Sequence, residues 1–194
     1  AIFEVVLLLL FAVLPPILRR VSKRIQRQMD EIEYRALYDE LTRLPNRALF
    51  RDRVQQALAS ARRENGCATV LLLDVDRFRE INDALGHDAG DALLRELGSR
   101  LGDVLRESDT LARLGGDEFG VLLPGTSKDD ALLLAGRVHD ALDTPFAFGD
   151  FPVDVGTSIG VASFPEHGEE AYSERAWSNA STSAVAASFN TTGS

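Results

Sequence analysis

Residues 113–123 of the chain read RLGGDEFGVLL. Two glycines and two acids lie between apolar segments, with TLARL ending just before them and FGVLL following. Gly-Gly and Gly-Asp are common turn formers, so the pattern predicts a hairpin that carries adjacent carboxylates at its tip. Taken alone, these acids fit a solvated turn as well as a chemical site.

The stretch ATVLLLDVD, residues 68–76, predicts a buried central strand that ends in Asp74 and Asp76. Carboxylates at such a position are rarely structural, because burying an unpaired charge costs several kcal/mol. If this strand neighbours the hairpin, Asp74 converges with Asp117 and Glu118. Three crowded carboxylates need divalent cations, and Mg²⁺ combines carboxylates with substrate phosphates. The residues therefore predict metal-dependent phosphoryl or nucleotidyl transfer, in which two ions activate a hydroxyl and neutralise a phosphate.

Helical and strand patterns alternate along the rest of the chain, which predicts an α/β or α+β fold with a mixed central sheet flanked by helices. A final pair of strands is expected to turn at Gly149-Asp150. The expected elements are a break at DELTRLPNR (39–47) with Asn46 as N-cap, a helix over 48–64, a helix from about Arg77, a loop GHDAG (86–90), a helix over 91–107, and a helix over 127–142 capped by Ser127.

The charge of the chain argues against nucleic acid as a partner. The 194 residues include 21 basic and 30 acidic ones. Five of the basic residues fall in RRVSKRIQR (19–27), which leaves 16 basic against 30 acidic residues elsewhere, a net charge of −14. Such a body repels a polyanion, and it would need metal ions to handle nucleotides. The single cysteine, Cys67, excludes a disulfide within the chain.

The first 18 residues, AIFEVVLLLLFAVLPPIL, are apolar apart from Glu4. Their length reaches the lower limit for spanning a bilayer, and the basic cluster that follows is typical of a cytoplasmic flank. We expect a partial transmembrane helix in the inner (cytoplasmic) membrane, with the rest in the cytoplasm; a signal peptide and a buried globular helix are the alternatives. Since the first residue is not Met, we expect the natural chain to begin upstream. Residues 19–38 predict a basic helical stalk, which either pairs with a copy of itself or is a monomeric surface helix.

Four spaced motifs resemble those of the diguanylate cyclase family, which is named for the GGDEF signature found here at 115–119. They are DELTRLPNR (39–47), DVDRFREINDALGHDAGD (74–91), RLGGDEFGVLLP (113–124) and TSIGVASFPEHG (157–168). The resemblance implies a nucleotide-cyclase or palm-like domain over residues 39–170. It also implies that two GTP molecules are joined into cyclic di-GMP plus pyrophosphate, with one GTP held by each domain of a homodimer and two Mg²⁺ (or Mn²⁺) ions per active site.

The resemblance assigns the catalytic and metal-binding residues by position. Asp74 and Asp117 are expected to hold Mg²⁺, with the carbonyl of Val75 as a further ligand. Glu118 is expected either to help deprotonate the 3′-hydroxyl or to hold the second ion. Arg79 stands where the family usually has a lysine that stabilises charge on the phosphates, and arginine keeps the charge while changing the geometry.

Substrate-binding residues follow in the same way. Asn82 and Asp91 are expected to bind the guanine edge. His87 lies at a position associated with substrate, with a loop-ordering histidine as the alternative. Gly115 and Gly116 are expected to let the backbone approach the phosphates.

A product-binding site is also implied. RESD (106–109) matches the RxxD inhibitory motif of the family, so Arg106 and Asp109 are expected to bind cyclic di-GMP. Arg137 matches a secondary arginine of that site. The alternative for RESD is an ion pair at the end of a helix.

After residue 170 the sequence departs from the family pattern, which continues with a helix that supplies a lysine and an arginine to the triphosphate. Residues 171–194 contain 15 Ser, Thr or Ala among 24 residues, which predicts a disordered tail. We therefore expect weak GTP binding and little or no turnover in this chain. The alternative functions are an impaired regulatory domain that binds GTP or cyclic di-GMP, and a structural membrane adaptor.

Overall fold

The computed structural model describes residue 22, residues 34–148 and residues 151–166. The chain divides into two compact units, Ala1–Leu37 and Tyr38–Ser194, and residues 34–37 of the first unit are helical. The second unit contains, in chain order, α1 (Arg47–Glu64), β1 (Ala68–Val75), α2 (Phe78–Leu85), α3 (His87–Val104), β2 (Thr110–Gly115), β3 (Glu118–Pro124), α4 (Lys128–Leu142), β4 (Phe146–Phe148), β5 (Phe151–Val153) and β6 (Thr157–Phe164).

Four strands form the central sheet in the order β2-β3-β1-β6, and every neighbouring pair among them is antiparallel. The expected α+β class is confirmed, but the expected mixed sheet is wrong for the described strands. The helices between β1 and β2 return the chain so that these two strands run in the same direction. The β2–β3 hairpin then folds β3 back between them, so the parallel strands are not neighbours.

The first face of the sheet is covered by α1. Asn46 is its N-cap, as predicted, and its side chain accepts hydrogen bonds from the backbone N–H groups of Ala48 and Leu49. Phe50 is fully buried against the sheet, and a Cβ added to Gly120 of β3 would lie 2.7 Å from its ring. Glycine in β3 therefore leaves the space that the ring fills. The buried residues of this layer are Phe50, Val54, Leu58, Ala61, Ala68, Val70, Ala112, Leu114 and Leu122.

The opposite face of the sheet packs against α3 and α4. Side chains alternate along each strand, so Leu71 and Leu73 of β1 point away from the α1 face and join the larger cluster. Ser127 caps α4 through a hydrogen bond from the backbone N–H of Asp130, as predicted. Together the two helical layers leave the ends of the strands as the accessible part of the sheet.

The predicted loop GHDAG is wrong, because α3 begins at His87 and includes most of these residues. Gly86, at φ 88°, separates α2 from α3. Gly90 lies inside α3 for a packing reason: an added Cβ would lie 2.0 Å from Oδ1 of Asn82 in α2. The second glycine therefore marks a close approach of two helices, which a sequence pattern cannot distinguish from a loop.

The second hairpin is confirmed, with Phe146 opposite Val153 and Phe148 opposite Phe151 in an antiparallel pair. Its turn residues, 149–150, lie outside the described residues, as do the predicted membrane span over 1–18, most of the predicted stalk and the tail over 171–194. In the part of the chain that the structure describes, no helix has both the length and the apolar character needed to cross a membrane.

Candidate active site

Carboxylates from two central strands face each other at one end of the sheet. Asp74 of β1 lies directly opposite Glu118 of β3 in the antiparallel register, and Asp117 lies in the two-residue turn just before β3. Directly opposed residues share a face of a sheet, so Asp74 and Glu118 lie on the face that α1 covers. The predicted neighbourhood of the strand and the hairpin is confirmed.

The clustering of these acids changes the titration of Asp74. Partial burial and the negative charges of Asp117, Glu118 and Asp76 raise the pKa of Asp74 from 3.8 to about 6. Burial disfavours the charged form, and like charges nearby disfavour it further. The end of the sheet therefore carries more negative charge than its surroundings neutralise.

The hairpin turn depends on its glycines. Gly115 has φ 142° and Gly116 has φ 56°, and the pairing of β2 with β3 shifts register between Arg113 and Gly115. A two-residue hairpin loop commonly needs positive φ at its first position, where glycine has no steric penalty. An added Cβ at either glycine would meet nothing within 4 Å, so the backbone of the turn is open to an approaching ligand.

An arginine in β2 fixes this turn to an earlier segment of the chain. Nε and Nη2 of Arg113 donate to the carbonyl oxygen of Gly116, at 3.0 Å and 2.7 Å. Nη1 of Arg113 donates to Oδ1 of Asp39 at 3.0 Å. Partial burial alone would raise the pKa of Asp39, but hydrogen bonds from Thr42 and Arg113 outweigh it and hold that pKa below its usual value. The DELTRLPNR motif therefore braces the signature turn.

A second arginine contacts the signature directly. Arg47 is the first residue of α1, and its Nη2 lies 2.9 Å from Oε2 of Glu118. Its Nε donates to the carbonyl oxygen of Leu114 at 3.0 Å. Sequence reasoning assigned no role to Arg47 or Arg113, although both lie inside the quoted motifs. One feature of the sequence could have drawn attention to Arg47. Acidic residues are favoured in the first turn of a helix, yet the first turn of α1 contains a basic residue and no acid.

The donor set at this end of the sheet fits a divalent cation in chemistry and charge. Asp74, Asp117 and Glu118 supply carboxylate oxygens, which Mg²⁺ prefers, and their mutual repulsion is relieved by a cation. Val75, whose carbonyl was assigned as a ligand, is buried at the end of β1. Among the described residues, however, no three His, Cys, Asp or Glu side chains are already grouped around one metal position.

The carboxylate of Asp76, the first residue after β1, is held by the start of β6. Oδ1 of Asp76 accepts a hydrogen bond from the hydroxyl of Ser158 at 2.7 Å, and its backbone N–H donates to the carbonyl oxygen of Gly156 at 2.9 Å. These contacts tie the loop after β1 to the start of β6. Asp76 therefore has a structural partner.

The residues assigned to guanine lie along α2 and α3. Asn82 of α2 packs against Gly90 of α3, the residue before Asp91 in the chain. Asp91 lies 3.9 Å from Arg95 one turn later, and His87 is exposed at the first position of α3. The structure thus places Asn82 against the residue that precedes Asp91 in the chain, and the binding of guanine by these two residues stays a prediction.

The RESD segment forms a turn between α3 and β2. The backbone N–H of Arg106 donates to Oδ2 of Asp109 at 2.9 Å, and the Arg106 side chain is exposed. Nη2 of Arg137 in α4 donates to the carbonyl oxygen of Val104 at 3.4 Å, close to the same turn. The geometry places all three predicted residues at one edge of the domain, and their role stays a prediction.

A family model described as diguanylate cyclase, GGDEF domain, matches residues 36–187. The chain belongs to the GGDEF-domain diguanylate cyclase family. The diguanylate cyclase TpbB of Pseudomonas aeruginosa is 44% identical over 148 residues, which cover 75% of this chain and 34% of TpbB. The chain therefore spans about a third of the length of that relative.

Solved structures of GGDEF domains share the fold. The GGDEF domain of TpbB from Pseudomonas aeruginosa superposes with a TM-score of 0.65 at 47% identity, covering 68% of this chain and 77% of that one. The coiled coil and GGDEF domain of DgcB from Caulobacter crescentus, in complex with cyclic di-GMP, gives a TM-score of 0.75 at 26% identity, covering 88% and 91%. The family prediction is confirmed.

We expect Asp74→Asn to stabilise the metal-free GGDEF domain at neutral pH. The raised pKa of Asp74 means that the folded state binds the proton more tightly, so stability falls as pH rises from about 4 through 6. Because Asp74 keeps solvent access, the free energy of unfolding of Asp74→Asn should exceed that of wild type by only about 1 kcal/mol at pH 7, and the difference should vanish near pH 4. Urea unfolding in EDTA at both pH values measures this.

Glu107→Gln removes an exposed carboxylate outside the cluster and should give no such pH-dependent gain. If Asp74→Asn stabilised the domain equally at both pH values, the neighbouring carboxylates would not be raising the pKa of Asp74.

Proposed function

We propose that this domain condenses two GTP molecules into cyclic di-GMP and pyrophosphate by metal-dependent nucleotidyl transfer. The observation that carries the proposal is the opposition of Asp74 and Glu118 across β1 and β3, with Asp117 in the adjoining turn. Excess carboxylate charge beside an open, glycine-built turn suits a cation and a polyphosphate together.

In this proposal, Asp74, Asp117 and the carbonyl of Val75 hold Mg²⁺ or Mn²⁺, with two ions per site. The ions supply activation of the attacking 3′-hydroxyl and neutralisation of phosphate charge. Glu118 either takes part in deprotonating that hydroxyl or holds the second ion. Arg79, exposed on α2, donates to the phosphates.

Guanine recognition is proposed for Asn82, which packs against Gly90, and for Asp91, the next residue of α3, with His87 at the substrate edge. An aspartate accepts hydrogen bonds from the ring N–H and amino groups of guanine, which adenine lacks in that arrangement. Gly115 and Gly116 let the backbone approach the phosphates. One domain holds one GTP, so the reaction needs a second domain, and we propose a homodimer as the active form.

Feedback by the product is proposed at the turn before β2. Arg106, Asp109 and Arg137 share one edge of the domain, and arginines pair with phosphates and stack on bases. Cyclic di-GMP bound there is the inhibitor in this proposal.

Membrane anchoring rests on the sequence of residues 1–18 and the basic residues that follow. We propose an inner-membrane location with the domain in the cytoplasm. Sedimentation of the expressed chain with bacterial membranes tests this, and recovery in the supernatant would contradict it.

Asp117→Asn should lower cyclic di-GMP formation from GTP and Mg²⁺ by more than about a hundredfold, because even a supporting partner of a metal ligand contributes ten- to a hundredfold. Chromatography with mass spectrometry quantifies the product, and urea unfolding verifies that the variant is folded. Asp129→Asn, an exposed carboxylate of α4, is the matched control and should keep full activity.

Unchanged turnover in Asp117→Asn would refute the metal assignment. A wild-type chain that binds GTP but makes no product would favour the alternative, a regulatory domain that binds GTP or cyclic di-GMP.

Arg106→Ala should weaken cyclic di-GMP binding by about tenfold or more, because a hydrogen bond to a charged group contributes about 1.5 kcal/mol or more. GTP binding should not change, because Arg106 lies in the turn before β2, whereas the signature turn follows β2. Calorimetry with each nucleotide measures both affinities.

Arg63→Ala, at the last turn of α1, controls for the loss of one positive charge. Equal affinity for cyclic di-GMP in wild type and Arg106→Ala would show that RESD is an ordinary turn after a helix and not a binding site.

A further inference from the structure

The side chain of Arg47 joins three elements at the signature hairpin. It starts α1, donates to the carbonyl oxygen of Leu114 in β2, and pairs with Glu118 in β3. The Leu114 contact fixes the guanidinium, so the Glu118 carboxylate is drawn to a fixed positive charge. Glu118 is therefore oriented by a residue 71 positions earlier in the chain.

The Arg47–Glu118 pair lies beside an incomplete cation site. Glu118 and Asp74 share one face at the end of the sheet, yet in residues 34–148 and 151–166 no three acidic, histidine or cysteine side chains surround a common metal position. A guanidinium 2.9 Å from Oε2 of Glu118 occupies the oxygen that a cation would use. A cation and Arg47 compete for the same carboxylate.

We propose that Arg47 is an internal counter-cation for Glu118, and that binding of a divalent cation displaces it so that Glu118 changes partner. The inference rests on the proposed function, because it takes the carboxylate end of the sheet as the metal site. Arg47 is a positioning residue: it acts through Glu118.

The exposure of the pair makes such an exchange feasible. The side chains of Arg47 and Glu118 are 50% and 45% exposed, and ion pairs of that kind are weakly stabilising because water screens them. A divalent ion beside two or three carboxylates is attracted more strongly than the guanidinium is to Glu118. Its charge is doubled, and each carboxylate adds to the attraction. Arg47 keeps its contact with Leu114 after the exchange, so it can return to Glu118 when the ion leaves.

Arg47→Gln should therefore tighten Mn²⁺ binding to the nucleotide-free chain by about tenfold. Removing the guanidinium frees Glu118 and also removes a positive charge that repels the ion. The loss of the free Mn²⁺ signal in electron paramagnetic resonance measures the affinity without any turnover. The rise in melting temperature with added Mn²⁺ should also be larger in the variant than in wild type.

The Glu118→Gln background separates partner exchange from general electrostatics. There, Arg47→Gln should change Mn²⁺ affinity by less than threefold, because no carboxylate remains to be released. Arg63→Gln, at the other end of α1, removes the same charge and should leave Mn²⁺ affinity unchanged. If Arg47→Gln does not fold, Arg47→Lys keeps the charge but cannot make both contacts, and it should tighten binding by about threefold.

Equal or weaker Mn²⁺ binding in the folded Arg47 variant would overturn the proposal. So would a tenfold effect that persists in the Glu118→Gln background. A wild-type chain that binds no Mn²⁺ would refute the metal site and this inference together, whereas a chain that shows the tenfold effect but makes no cyclic di-GMP would refute only the proposed activity.

Discussion

The antiparallel pairing of β1 with β3 determines what the rest of this domain can do. It places Asp74 opposite Glu118 at an end of the sheet, and the turn before β3 adds Asp117. The strands are held in that register by apolar side chains on both faces, because a shift by one residue would exchange the faces. Core packing therefore supplies the free energy that keeps like charges together, and the raised pKa of Asp74 reflects this opposition.

Two arginines limit the freedom of the hairpin without neutralising all of its charge. Arg113 joins the turn carbonyl of Gly116 to Asp39, and Arg47 joins Leu114 to Glu118. Asp39 lies in the segment that leads into α1, and Arg47 is the first residue of that helix. The start of the domain therefore contacts the signature hairpin through two arginine side chains.

Local patterns in the sequence were sufficient for most of the helices and strands and for the acids at the ends of β1 and of the hairpin. Asn46 is a typical N-cap, and the apolar run that ends at Asp74 is typical of a buried strand. The start of α3 was not predictable, since Gly90 is present because of Asn82 in a neighbouring helix and not because of a turn. The antiparallel order of the sheet and the contact of Arg47 with Glu118 depend on tertiary pairing, which no short window of sequence contains.

The fold concentrates carboxylate charge at one end of the sheet, and a divalent cation would relieve it. Nuclear magnetic resonance of the Asp74 carboxyl carbon, titrated with pH in EDTA and again in excess Mg²⁺, tests it most directly. We expect an apparent pKa of about 6 for Asp74 without metal and a fall toward its ordinary value when Mg²⁺ is present. A pKa near 3.8 in EDTA, or one that Mg²⁺ leaves unchanged, would contradict it.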